Sequence, residues 1–170
     1  MNSIIGLVKI SSNFKTFSFI KLGHTLPNKP ISSNNLALEF NNNQLYISVQ
    51  TNQRICLTSN DTVGSTSMNQ IILFEYLADN GFTKPFTVAQ SKNALSTIGL
   101  QFIQNQLLLI SRYTDTLEFP SVQKLQVAIN RKLKITKSVA TDYSIAVIQN
   151  HNVLKTWNLG CLDVVQFTGK

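Results

Sequence analysis

The chain has 170 residues, of which 43% are hydrophobic and only 14% charged, and it carries a net charge of +7. That length suits one domain over residues 1–170 and hides roughly 70% of the unfolded surface, which excludes a disordered chain. No run reaches about 18 apolar residues, so a transmembrane helix is excluded too.

Ile4–Ile10 is a β-branched apolar run, and Ser11-Ser12-Asn13 after it is a turn signal. The N-terminal run lacks a preceding basic region and a small-residue cleavage site, so it reads as a strand and not a signal peptide. Phe14–Leu22 reads as a second strand. Residues 23–35, with two prolines, two serines and three asparagines, read as an extended or mobile loop.

Leu36–Val49 follows, and a near-copy lies 62 positions later at Ile98–Ser111. Leu38/Leu100, Phe40/Phe102, Asn43/Asn105, Gln44/Gln106 and Leu45/Leu107 match without a gap. Each copy reads as a β-hairpin. With Asn42-Asn43 as a two-residue turn, Phe40 faces Leu45, Leu38 faces Ile47 and Leu36 faces Val49, all on one face. The other face carries Gln44, Tyr46, Ser48 and Gln50, which are expected to be free for protein contact. With Gln104-Asn105 as the turn, Phe102 faces Leu107 and Leu100 faces Leu109. Ile103, Leu108 and Ile110 make the second face apolar as well, so this copy is expected to be buried on both sides. Leu100, Ile103, Leu107 and Ile110 also fit helical spacing, but the match to the first copy favours the hairpin.

Thr51-Asn52 is expected to turn the chain into Gln53–Thr58 as a third strand beside the first hairpin. Residues 59–67 read as a polar, mobile loop. Helix is expected over 68–80, N-capped by Thr66 or Ser67 and stopped by Gly81. A short strand at Pro85–Ala89 and a short helix at Ser91–Thr97 follow. A second helix is expected over 121–134, with Val122, Leu125, Ala128, Ile129 and Leu133 on one face and Lys124, Arg131, Lys132 and Lys134 on the other. Tyr143–Gln149 and Val153–Leu159 read as strands around a turn at Asn150-His151-Asn152, and Ile148-Gln149-Asn150 echoes the hairpin motif too faintly to count as a third copy. Cys161–Phe167 reads as a last strand. The expected fold class is α+β and β-rich, with antiparallel sheets built on the two hairpins and two helices.

Chemistry-bearing clusters are scarce. The eight acids are all separated, and Asp115/Glu118 and Glu75/Asp79 are the closest pairs. His24 and His151 have no nearby acid or cysteine in sequence. Cys56 and Cys161 lack zinc-ligand spacing and read as buried free thiols. None of the GxSxG, HExxH, GxGxxG or phosphate-loop patterns occurs. The expectation is therefore no catalysis, no metal, no cofactor and no small-molecule substrate.

Charge is uneven: four bases and no acid before residue 35, and seven bases against two acids after residue 119. A nucleic-acid-binding module using Lys124, Arg131, Lys132, Lys134 and Lys137 is the alternative reading. A winged helix is disfavoured, because the stretch between Gly81 and Gly99 is short and broken by Pro85. The favoured expectation is a non-enzymatic assembly subunit whose partners are itself or other subunits. A virus or phage particle (capsid, connector or tail component) is the expected setting, in the virion or host cytoplasm and without membrane contact.

Overall fold

Turn chemistry sets the strand pairing. Asn42-Asn43, Gln104-Asn105 and Asn150-His151 all have positive φ, between 46° and 63°. That is the conformation of two-residue type I′ turns, which Asn tolerates better than any other non-glycine residue. The first two hairpins have the expected registers, with Phe40 opposite Leu45 and Phe102 opposite Leu107. The third turn makes the faint echo at residues 148–150 a genuine hairpin. Asn43→Ala should lower stability in urea unfolding by about 1 kcal/mol, because Ala pays for the left-handed conformation, while Asn43→Gly should leave it unchanged.

The computed structural model describes residues 4–25, 36–57, 61–114, 116–120, 132–134 and 141–160. In chain order the strands are β1 (Ile4–Ile10), β2 (Phe17–Thr25), β3 (Leu36–Asn41), β4 (Gln44–Thr51) and β5 (Ile55–Cys56). Next come β6 (Thr62–Val63), β7 (Asn69–Leu77), β8 (Gly81–Phe82), β9 (Phe86–Ser91) and β10 (Leu95–Ile103). The last are β11 (Gln106–Thr114), β12 (Thr116–Glu118), β13 (Lys132–Lys134), β14 (Thr141–Gln149) and β15 (Asn152–Gly160). They form three antiparallel sheets. The first runs β1-β2-β5-β6, the second β13-β12-β9-β7-β4-β3 with β8 on β7, and the third β10-β11-β14-β15.

The second sheet is the middle layer. Ile72 and Phe74 of β7 and Ile47 and Val49 of β4 pack on Ile5, Leu22 and Ile55 of the first sheet. Tyr46, Ile71, Leu73, Val88 and Leu117 face Leu100, Leu107, Leu109, Tyr113 and Ile148 of the third sheet. Alternate residues of β7 thus enter two different cores.

This structure is all-β, and no helix occurs among the described residues, which corrects the expected α+β class. The run at 68–80 forms β7 because it is sandwiched. Four successive residues, Ile71 to Phe74, are buried on both faces, and such a run mimics a helix face in sequence. Gly81, with φ of 75°, serves the tight turn from β7 to β8 and not a helix stop. The short helix at Ser91–Thr97 is replaced by the link between β9 and β10. The helix expected over 121–134 is contradicted at its end, where Lys132–Lys134 pair with β12 as a strand; residues 121–131 lie outside the described residues. Gln53–Thr58 does not extend the first hairpin, since β5 pairs with β2 and β6 and β7 takes the place beside β4. Nor is the second hairpin buried on both faces: Ile98 and Ile103 are exposed, and β10 is a sheet edge. Within the two expected loops, Gly23–Thr25 belong to β2 and Thr62–Val63 form β6. The strand expected at Cys161–Phe167 lies outside the described residues.

The duplication seen in sequence extends through the described strands. Hairpins β1–β2, β7–β9 and β14–β15 share one bulge. Ile5 and Gly6 pair with Gly23 and Lys21, Ile71 and Ile72 with Ala89 and Thr87, and Tyr143 and Ser144 with Gly160 and Asn158. Each time the second strand carries one extra residue. Each of the first two bulged hairpins pairs its second strand with a short strand, through His24–Cys56 and then Gln90–Glu118. The long hairpins β3–β4 and β10–β11 each pair with the bulged hairpin that follows, through Val49–Ile72 and Ser111–Ser144. The repeat is therefore a bulged hairpin, a long hairpin and a short pair, and the long hairpin always joins the next layer.

Candidate functional site

Among the described residues, the first sheet and β3 carry most of the exposed large apolar side chains. Val8 lies opposite Phe19 and Ile10 opposite Phe17 on the outward face of the β1–β2 pair, and all four are exposed. Gly6 lets the Phe19 ring lie across β1, because a Cβ there would clash with Phe19 Cζ. Beside this sheet, Leu36, Leu38 and Phe40 of β3 point out from the second layer. The repeat makes that exposure anomalous. Leu38 is 58% exposed, but its equivalent Leu100 is 8% exposed. Phe40 is 67% exposed, while its equivalent Phe102 stacks on Tyr46 with ring centroids 5.8 Å apart. What covers Leu100 and Phe102 is the hairpin β3–β4 of the layer before. The Glu39 Oε1 also accepts a hydrogen bond from the Phe102 N–H at 2.9 Å. Contiguous exposed apolar surface of this kind is uncommon on monomeric proteins.

A second feature is a cleft of about 300 Å³ between the second and third sheets, at the hairpin-turn end. Glu75 on β7 meets His151 from the β14–β15 turn, Oε2 to Nε2 2.6 Å, and His151 Nε2 lies 3.1 Å from Thr83 Oγ1. The Tyr46 hydroxyl donates to Gln44 Oε1 at 2.7 Å. Sequence reasoning missed the Glu75–His151 pair, which the fold assembles from positions far apart in the chain. A carboxylate–imidazole pair could serve acid–base chemistry. Among the described residues no serine hydroxyl or cysteine thiol lines the cleft, and no three His, Cys, Asp or Glu side chains converge as metal ligands. The pair ties two sheets together across the cleft.

Burial, with the Glu75 carboxylate nearby, pushes the Tyr46 phenol up to about 12. Burial, with Asp142 nearby, does the same for Tyr113, whose hydroxyl has no hydrogen-bond partner. A phenol raised in the folded state contributes stability that is complete below the unfolded value of about 10 and is lost as pH rises toward 12. Alkaline titration of phenolate absorbance should therefore show two of the four tyrosines ionising late, together with a falling unfolding midpoint above pH 10. Tyr113→Phe should remove one late step and leave stability equal or slightly higher.

The residues expected from sequence fall unevenly on these features. Gln44 and Tyr46 line the cleft, Ser48 is fully buried, and Gln50 is half-buried beside Tyr113. This face of β4 is turned toward the third sheet, and the apolar face of β3 is the one left outside. Of the basic residues, Lys132 and Lys134 lie in β13, while Lys124, Arg131 and Lys137 lie outside the described residues. Cys56 is a buried free thiol, and Cys161 lies outside the described residues. Among the described residues no helix is long and apolar enough to cross a membrane.

No protein-family model, curated protein or solved structure matches the chain.

Proposed function

We propose that this chain is a non-enzymatic assembly module that joins other protein subunits through its first-sheet end. The observation that carries the reading is the exposed apolar group Val8, Ile10, Phe17 and Phe19 on the outer face of the first sheet, with Leu36, Leu38 and Phe40 where the repeat lacks its covering hairpin. The low charge content fits a chain whose surface meets protein more than water. A particle of many subunits, such as a virus or phage virion, is the setting that composition first suggested.

The test is the mass in solution. Wild-type chain should sediment above its 19.0 kDa monomer mass as concentration rises toward about 0.1 mM. The combined variant Phe17→Asp, Phe19→Asp, Leu38→Asp, Phe40→Asp should stay monomeric. Wild-type chain that remains a monomer throughout, and that binds an apolar dye no better than the variant, would sink the reading.

A further inference from the structure

We infer that the ledge formed by β3 beside the free edge of β1 is the seat of a β-hairpin supplied by another polypeptide. This rests on the assembly reading and names the partner's chemistry.

The repeat supplies the template. In the second sheet the first strand of the bulged hairpin, β7, pairs with β4; in the third sheet the corresponding strand, β14, pairs with β11. In the first sheet the corresponding strand is β1, and among the described residues nothing pairs with its outer edge. One layer away, β3 lies uncovered where β10 is covered. In the template one hairpin does both, since β3–β4 pairs with β7 through β4 and covers β10, and a single hairpin would fill both places here. Its second strand extends the first sheet, running antiparallel to Ile4–Ile10 as β4 runs to β7. Its inner face lies on Leu36, Leu38 and Phe40. This is strand addition at a sheet edge, in which main-chain bonds give affinity and alternate side chains give specificity.

The template also fixes side chains. Over β10 the hairpin presents Tyr46 against the Phe102 ring and the Glu39 carboxylate to the Phe102 N–H. The partner hairpin should carry an aromatic side chain for Phe40 and a carboxylate for the Phe40 N–H. The chain's own residues 26–35 are a poorer occupant. Ten residues do not make two strands of the required length, and Pro27 and Pro30 lack the N–H that edge pairing uses. A second intact copy is poorer too, since its long hairpins are already paired within its own sheets.

The test uses the full chain with Phe17→Asp and Phe19→Asp, which removes association through the outer face of the first sheet. The probe is a backbone-cyclised peptide with the sequence of residues 36–51. It should bind and should protect the amides of β1 and β3 from hydrogen exchange. Adding Leu38→Asp and Phe40→Asp to the chain should abolish binding. A Tyr46→Ala peptide should bind at least about tenfold more weakly. No binding up to about 1 mM overturns the inference, as does binding that Tyr46→Ala leaves unchanged or protection that spares β1 and β3. Binding that appears only after residues 26–35 are replaced by a Gly-Ser linker assigns the ledge to the chain's own segment and also overturns it. None of these results alters the sedimentation test, so assembly through the outer face can stand when the hairpin seat fails.

Discussion

Leu100→Ala should cost about 2–5 kcal/mol of unfolding free energy, while Leu38→Ala, at the equivalent place one repeat earlier, should cost less than about 0.5 kcal/mol. Both leucines sit two residues before a matching phenylalanine, on the first strand of matching hairpins. Local sequence is similar, so context is the main difference between them. Leu100 is held in the core by Tyr46, Leu107 and neighbours, and truncation leaves a cavity. Leu38 faces outward, and truncation leaves a smaller exposed patch. Urea unfolding of the two single variants measures the difference directly. Equal losses would mean that Leu38 is covered in solution, and comparing dilute with concentrated samples would then tell whether association covers it.

Gln70→Leu should lower stability by about 3–5 kcal/mol, although it replaces a polar residue by an apolar one of similar size. Gln70 is fully buried in β7. Its Nε2 donates to Gln53 O and Ser65 O, both at 2.9 Å, and its Oε1 accepts from Ser65 N–H at 2.8 Å. Leucine would take the partner amide from the Ser65 N–H and C=O and from the Gln53 C=O in a largely buried site, and each lost partner costs about 1–3 kcal/mol. Gly64 shows how closely the loop is fitted to the amide, since a Cβ there would meet Gln70 Nε2 at 2.5 Å. Gln70→Glu should also destabilise, because a carboxylate cannot donate to the two carbonyls. Thermal or urea unfolding midpoints measure both losses, and a variant within about 0.5 kcal/mol of wild type would refute the account.

Hairpin registers were legible because the side-chain period is two. A slip of one residue at Asn42-Asn43 would have turned every leucine of β3 to the other face. The identity of β7 was not legible. Ile71 to Phe74 are buried on both sides, and such a run carries no alternation to distinguish strand from helix. The repeat was visible only where side chains had stayed alike, in the two long hairpins. Elsewhere it survives in the backbone: Ile5, Ile71 and Tyr143 share a bulge but no side-chain chemistry. The direction of the first hairpin was hidden for a related reason. Its apolar face is split, with Ile47 and Val49 covered by the first sheet and Leu38 and Phe40 left outside. Sequence alone gives no sign of where a neighbouring layer stops. The Glu75–His151 pair needed the tertiary fold, since only the packing of the third hairpin against the second sheet brings those residues together.

The passage of each long hairpin into the following layer has a consequence for how the molecule comes apart. In most repeat proteins a terminal unit can fray while the rest holds, because each unit is a local element that contacts only its immediate neighbours. Here the middle sheet is completed by strands from two successive units, and successive strand pairs alternate between sheets like stitches through cloth. Removing one unit would tear main-chain bonds out of the adjacent sheet as well as baring its face. Such interleaving trades modularity for cooperativity: the layers should melt together, and an unfilled place at one end is an open stitch that another chain can take up.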